Sequence, residues 1–230
     1  MIKVLVTGAG GDVGQGAIRS LLALEMPIKV FTTCIDKYSA WLYHSEVISF
    51  LAPLSSSEEY IPFLINVLNK FEIDLLITTI DSEIVLISKN KQFIERETKA
   101  IVFVDDYSSV SICDDKYLTY KFLKENKFEY LKTSMLTREN IIYIKDDIKY
   151  PLILKKRKGR GSKDIYIAEK YDDIKKFMNN KEFIIQEYID KNNIEYTAGV
   201  YIGDENKFNL TCVFKRTLRN GSTYVAERVI

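Results

Sequence analysis

Residues 150–166 read YPLILKKRKGRGSKDIY, and the rest of the chain is interpreted from them. The apolar run at 152–154 leads into six cations within nine residues (Lys155, Lys156, Arg157, Lys158, Arg160 and Lys163). Gly159, Gly161 and Ser162 interrupt the charge, and a second apolar run begins at Ile165. The pattern is a strand, a basic glycine loop and a returning strand. Such a loop can be a nucleic-acid patch, a solvated hairpin turn or a cover for the phosphates of a nucleotide. Its composition does not choose among them.

Downstream, YDDIKKFMNN reads as a helix, followed by the strands EFIIQEYI, EYTAGVYIG and FNLTCVFK. Consecutive strands joined by short turns such as DENK belong to an antiparallel sheet. Upstream the rhythm differs. Strands at residues 2–6, 28–33, 46–50, 74–80 and 100–104 alternate with helical stretches such as 58–71, which implies a parallel sheet covered by helices. DDKYLTYKFLKENKF is a lysine-rich amphipathic helix at the junction. The expected organisation is an α/β, Rossmann-like domain over residues 1–113 and an α+β region with an antiparallel sheet over 114–230.

The 230 residues are 47% hydrophobic and 28% charged, enough for one good core or two small ones and unlike a disordered chain. A net charge of +1 argues against a general nucleic-acid binder, and the basic loop lacks the interleaved aromatics of an RNA-binding surface. The solvated turn and the phosphate cover stay open at this point. Cys34, Cys113 and Cys212 are far apart and odd in number, which suits buried thiols in a reducing compartment. With no signal-peptide pattern and no apolar run long enough for a membrane span, a cytoplasmic location is expected.

A second glycine-rich segment, GAGGDVGQG, lies between the first strand and the helix after it. There, backbone N–H groups and a helix N-terminus can approach an anion. Gly10 and Gly11 are candidate ligand-contacting positions, and Asp36 follows the second strand where a ribose-binding acid could sit. TGAGGDVG resembles the turn of short-chain dehydrogenases, so an NAD-dependent oxidoreductase or epimerase is one alternative. Tyr-x-x-x-Lys pairs occur at Tyr117/Lys121 and Tyr120/Lys124, but in a helix this rich in both residues the spacing arises easily by chance. The other reading of the glycines is a tight strand-to-helix connection with no ligand.

Taken in order, VLVTGAGGDVGQG, TTIDSE, ICDDKYLTYKFLKENKF, YPLILKKRKGRGSKDIYI and FIIQEYIDKNNIEYTAGVYIG resemble the ATP-grasp superfamily. The arrangement is similar to that of carbamoyl-phosphate synthetase large subunits, in which a pre-ATP-grasp domain comes first. The resemblance implies an ATP-dependent carboxylate-amine ligase that works through an acyl phosphate. It implies that Lys116 contacts the nucleotide, that Lys155 projects from a strand toward the phosphates, and that Gly159, Gly161 and Ser162 fold over them. Proline usually follows the strand lysine, and Lys156 stands there instead. Glu187, Tyr188 and Ile189 would line the adenine slot, and Glu195, eight residues beyond Glu187, would hold the ribose hydroxyls. Asp81 and Glu83 are candidates for the acceptor amine or, equally, ordinary helix-capping residues. Arg216 is a candidate contact to phosphate or carboxyl substrate.

Family members bind Mg2+ through a later acid and a Glu-x-Asn motif. No counterpart precedes Ile230, and Asp204 and Asn206 read as turn formers. No metal ligands are therefore assigned, and Mg2+ is expected only for a complete enzyme. The chain then reads as the ATP-binding part of a longer ligase, with a degenerate or non-catalytic nucleotide-binding subunit as a further alternative. The implied partners are small carboxylate and amine substrates, with no nucleic acid and no membrane, and self-association is left open.

Overall fold

A computed structural model describes residues 1–140, 149–159, 164–190, 194–203, 208–219 and 222–229. The chain divides into two compact units, Met1–Asp114 and Asp115–Ile230.

The first unit holds five strands, β1 (Ile2–Val6), β2 (Ile28–Cys34), β3 (Val47–Leu51), β4 (Leu75–Ile77) and β5 (Ile101–Phe103). All pair in parallel, in the order β3-β2-β1-β4-β5. Helices α1 (Asp12–Leu22), α2 (Tyr60–Lys70), α3 (Asp81–Glu97) and α4 (Tyr107–Asp114) follow strands along the chain. Successive side chains of a strand point to opposite faces, so IKVLV buries both. Leu5 joins Phe31, Leu76 and Val102 in a core with Leu64 and Leu68 of α2 and Ile87 of α3. Val4, Val6 and Val30 pack with Ile18 of α1 in a second core. Each face alone has too little apolar area to be stable, and the helices supply the rest.

The second unit opens with α5 (Lys116–Glu125) and contains two antiparallel sheets. The four-stranded sheet has the order β6-β9-β7-β8, from β6 (Thr133–Met135), β7 (Leu152–Lys156), β8 (Ile165–Ala168) and β9 (Phe183–Glu187). Leu152, Leu154, Ala168, Phe183 and Ile185 form its covered face with Ile174 of the short helix α6 (Tyr171–Lys175) and Phe177. Alternation turns Ile153, Lys155, Ile184 and Gln186 to the opposite face, where register sets Ile165 opposite Lys155 and Ile167 opposite Ile153. A strand that buries Leu152 and Leu154 on one face thus presents Lys155 on the other, among isoleucines. β10 (Glu195–Ile202), β11 (Asn209–Arg219) and β12 (Ser222–Arg228) make the three-stranded sheet. β11 runs four residues further than the run FNLTCVFK suggests, because the register with β12 continues through a bulge between Thr217 and Leu218. Among the described residues, no helix is long and apolar enough to cross a membrane.

Candidate functional site

Asp115 begins the site. It caps the N-terminus of α5, where its carboxylate accepts from the Tyr117 and Leu118 amides at 2.9 and 3.4 Å. Its two oxygens also accept from Arg157, at 3.1 Å from Nε and 2.5 Å from Nη2. The Asp115 side chain is only 3% exposed, so this forked pair is shielded on the carboxylate side. Burial pushes the Asp115 carboxyl up, but the guanidinium and the two amides outweigh it and hold the group below the ordinary carboxylate range. The Arg157 guanidinium also lies 5.6 Å from the centre of the Tyr117 ring. One aspartate therefore ties the start of α5 to the end of β7, 42 residues away.

The consequence falls on Lys116, the first residue of α5. Its amide donates to the Arg157 carbonyl at 3.1 Å. Its ammonium donates to the carbonyls of Gly159 and Arg157 at 2.8 and 3.3 Å, where the basic loop leaves the strand. Lys155 comes from β7 itself. Its ammonium donates to Gln186 Oε1 on β9 at 2.7 Å. Burial, followed by the nearby charge of Lys116, holds Lys155 below the ordinary lysine range. Two ammonium groups thus sense each other at the root of a glycine loop, with a half-exposed isoleucine face beside them: Ile165 is 41% and Ile167 42% exposed. Like charges are held close only when the fold compels it, and a polyanion relieves the repulsion. On the same segment Lys156 pairs with Asp164 at 2.9 Å. A cavity of about 390 Å³ lies beside the clamp, lined by Asp115, Lys156, Arg157, Lys158, Lys181 and Glu182.

The structure therefore brings Lys116, Lys155 and Gly159 together. Gly161 and Ser162 lie outside the described residues, as do Asp204 and Asn206. Glu187 ends β9, where its Oε1 accepts from the Lys132 amide at 3.0 Å. Tyr188 and Ile189 follow directly in irregular backbone, Tyr188 half-buried and Ile189 exposed. Glu195 and Arg216 face each other across β10 and β11, and Arg216 donates from Nε at 2.9 Å and from Nη2 at 2.5 Å to Glu195 Oε1. These two candidates form one cross-strand ion pair on the three-stranded sheet.

In the first unit, Gly8 takes φ of +71° with Ile80 and Thr79 against it, and a Cβ at Gly14 would run into the Gly8 carbonyl. Those two glycines are required by internal packing. A Cβ at Gly10 would sit 3.0 Å from Cys34 Sγ, whereas at Gly11, the N-cap of α1, the nearest atoms are 3.6 Å away. Asp81 and Glu83 occupy the first turn of α3. Asp81 is exposed, but Glu83 is 5% exposed and interacts with the buried Tyr60 hydroxyl. Burial raises the Glu83 carboxyl above its ordinary range.

Sequence reading did not single out Gln186, Thr133 or the pairing of Asp115 with Arg157. Gln186 had a visible signal: it is the polar residue of FIIQE, in a strand otherwise apolar up to its terminal glutamate. Among the described residues, no three His, Cys, Asp or Glu side chains are grouped closely enough to hold a metal ion.

Residues 113–225 match the family model for the ATP-grasp domain. An uncharacterized protein of Mycoplasma genitalium is 33% identical over 119 residues, which are 50% of this chain and 39% of that protein. A carbamoyl-phosphate synthase of Methanobrevibacter smithii is 27% identical over 132 residues, 54% of this chain and 34% of the synthase. Among solved structures, N5-carboxyaminoimidazole synthetase from Staphylococcus aureus complexed with ADP is similar, with a TM-score of 0.73 and 16% identity over 96% of this chain and 56% of that one. L-amino acid ligase from Bacillus licheniformis is similar with a TM-score of 0.65 and 13% identity, over 94% of this chain and 50% of that one. The chain spans about a third to two fifths of these curated relatives and about half of these structures.

Proposed function

We propose that this chain, whose fold is that of the ATP-grasp, carbamoyl-phosphate-synthetase-like ligases, is the ATP-binding portion of a carboxylate-amine ligase. The observation that carries the reading is the convergence of the Lys155 and Lys116 ammonium groups at the root of the basic loop, beside an apolar sheet face. Two fixed cations match a triphosphate, and the isoleucine face offers a surface for a flat base.

In the reaction, a substrate carboxylate oxygen attacks the γ-phosphorus of ATP. The bond to the bridging oxygen breaks, and ADP leaves with that electron pair. The amine nitrogen then attacks the acyl carbon of the acyl phosphate, inorganic phosphate departs, and the nitrogen loses a proton. Phosphoryl transfer depends on positioning and charge neutralisation more than on an acid-base pair. Lys155 and Lys116 hold the phosphates, the clamp of Asp115 on Arg157 fixes both at the loop base, and the basic loop excludes water.

The test is thermal stability of the chain with ATP, compared with NAD, in wild type and Lys155→Ala. Ligand at a hundred times its Kd adds about 2.7 kcal/mol. ATP is expected to stabilise wild type and to have a reduced effect on K155A. Stabilisation by NAD alone would overturn the reading, as would an ATP effect that K155A leaves intact.

A further inference from the structure

We infer that Gln186 is a positioning residue that presents a neutral acceptor to Lys155, and that Thr133 sets which end of the amide does so. The inference rests on the reading of Lys155 as the phosphate lysine.

The chain of hydrogen bonds has a direction. Thr133 Oγ1 donates to the Leu131 carbonyl at 2.8 Å, which commits its only proton. That hydroxyl can then act toward Gln186 only as an acceptor, and Gln186 Nε2 donates to it at 2.6 Å. With the amino end of the amide engaged, the oxygen end faces Lys155, which donates to Oε1 at 2.7 Å. Register builds the relay: β6 pairs with β9 so that Thr133 stands opposite Gln186, and β7 pairs with β9 on its other side, with Lys155 one step along the same face. Gln186 and Thr133 are 9% and 6% exposed, so neither end of the amide is free to exchange its partner for bulk water.

The choice of an amide has an electrostatic consequence. A carboxylate at this position would make an ion pair and cancel the lysine charge, whereas an amide orients the ammonium and leaves its charge available to an anion. Among the described residues, the strands flanking Lys155 bring Ile165 and Ile184 opposite it, and Lys116 is the charged group that acts on it. The amide therefore leaves the charge of Lys155 available, which suits an anion and not a neutral ligand.

The experiment needs no nucleotide. The full 230-residue chain is labelled with an amine-reactive reagent across a pH series, and modification of Lys155 is followed by mass spectrometry. Because only the neutral amine reacts, the rate reports the protonation of Lys155. Gln186→Glu, of nearly the same shape, is expected to slow labelling by about tenfold at fixed alkaline pH, because an adjacent carboxylate favours the ammonium. Gln186→Leu and Thr133→Val are expected to speed it, the first by deleting the acceptor and the second by freeing the amide to turn its amino end toward the lysine. Equal rates in all four proteins, or acceleration in every variant as loosened packing would give, overturn the relay. ATP affinity is measured separately, and Q186E is expected to weaken it. If wild type does not bind ATP while the labelling rates still diverge in opposite directions, the nucleotide reading fails and the relay stands.

Discussion

Replacing Asp115 separates two contributions that one side chain makes at the same point. Asp115→Asn keeps an oxygen for the Tyr117 and Leu118 amides, since asparagine caps helices as well as aspartate does, but it removes the charge that holds Arg157. Hydrogen bonds to charged groups contribute about 1.5–3 kcal/mol. Breaking a fully buried pair costs about 3–5 kcal/mol. Here the Arg157 side chain is 28% exposed and can rehydrate once its partner is gone, so the lower range applies. A loss of about 2 kcal/mol is expected for D115N. Asp115→Ala also removes the cap and should lose about 1 kcal/mol more. Urea denaturation at neutral pH measures both, in the transition of the unit that contains Asp115. The difference must also depend on pH. Burial raises the Asp115 carboxyl and its partners lower it further, for a net depression. A depressed folded-state value means stabilisation that is present above the unfolded value and lost as pH falls through the folded one. The gap between wild type and D115N should therefore close on acidification below the ordinary carboxylate range. A D115N protein as stable as wild type at neutral pH, or a D115A protein no weaker than D115N, would refute the account.

Three further outcomes can be checked by denaturation. Gly14→Ala should destabilise by about 1–3 kcal/mol because its Cβ meets the Gly8 carbonyl, whereas Gly16→Ala, on the same helix with nothing within 4 Å, should stabilise by up to about 1 kcal/mol. Glu83, raised by burial, contributes stability below the ordinary carboxylate value that is lost as pH rises through its elevated one. Glu83→Gln should therefore match wild type in acid and exceed it increasingly toward neutral pH, and parallel curves would contradict this. Leu154→Ala, at a fully buried position under α6, should lose about 2–5 kcal/mol.

Periodicity carried much of the fold. IKVLV, IKVFTTC and VISFL are short β-rich runs between helical stretches, and such runs become parallel strands when helices cover both faces. The antiparallel pairings of LILKK with IYIA and of EYTAGVYI with the strand after it were equally legible, because each pair is joined too closely for a long crossover. β6 was not legible: TSM is three residues with no alternation to read, and it becomes a strand only because β9 offers it an edge. The short helix α6 shows the opposite limit. Ten residues from YDDIKKFMNN suggest a helix, yet it ends at Lys175 after five, and Asn179 takes φ of +61° before the chain turns into β9.

For the site, the residue types of the basic loop and the lysine at the end of an apolar strand are local facts, visible wherever the chain is read. What each of those lysines faces is not local. Gln186 meets Lys155 from 31 residues away, and Arg157 meets Asp115 from 42, because strand register and a helix cap bring them together. Glu195 and Arg216, read apart as a ribose acid and a phosphate contact, stand opposite each other once β10 and β11 pair. Side-chain type and backbone periodicity reside in the sequence because they act over a few residues. Partnership, burial and hence protonation reside in the tertiary structure, because they depend on which distant groups share the same small volume without water.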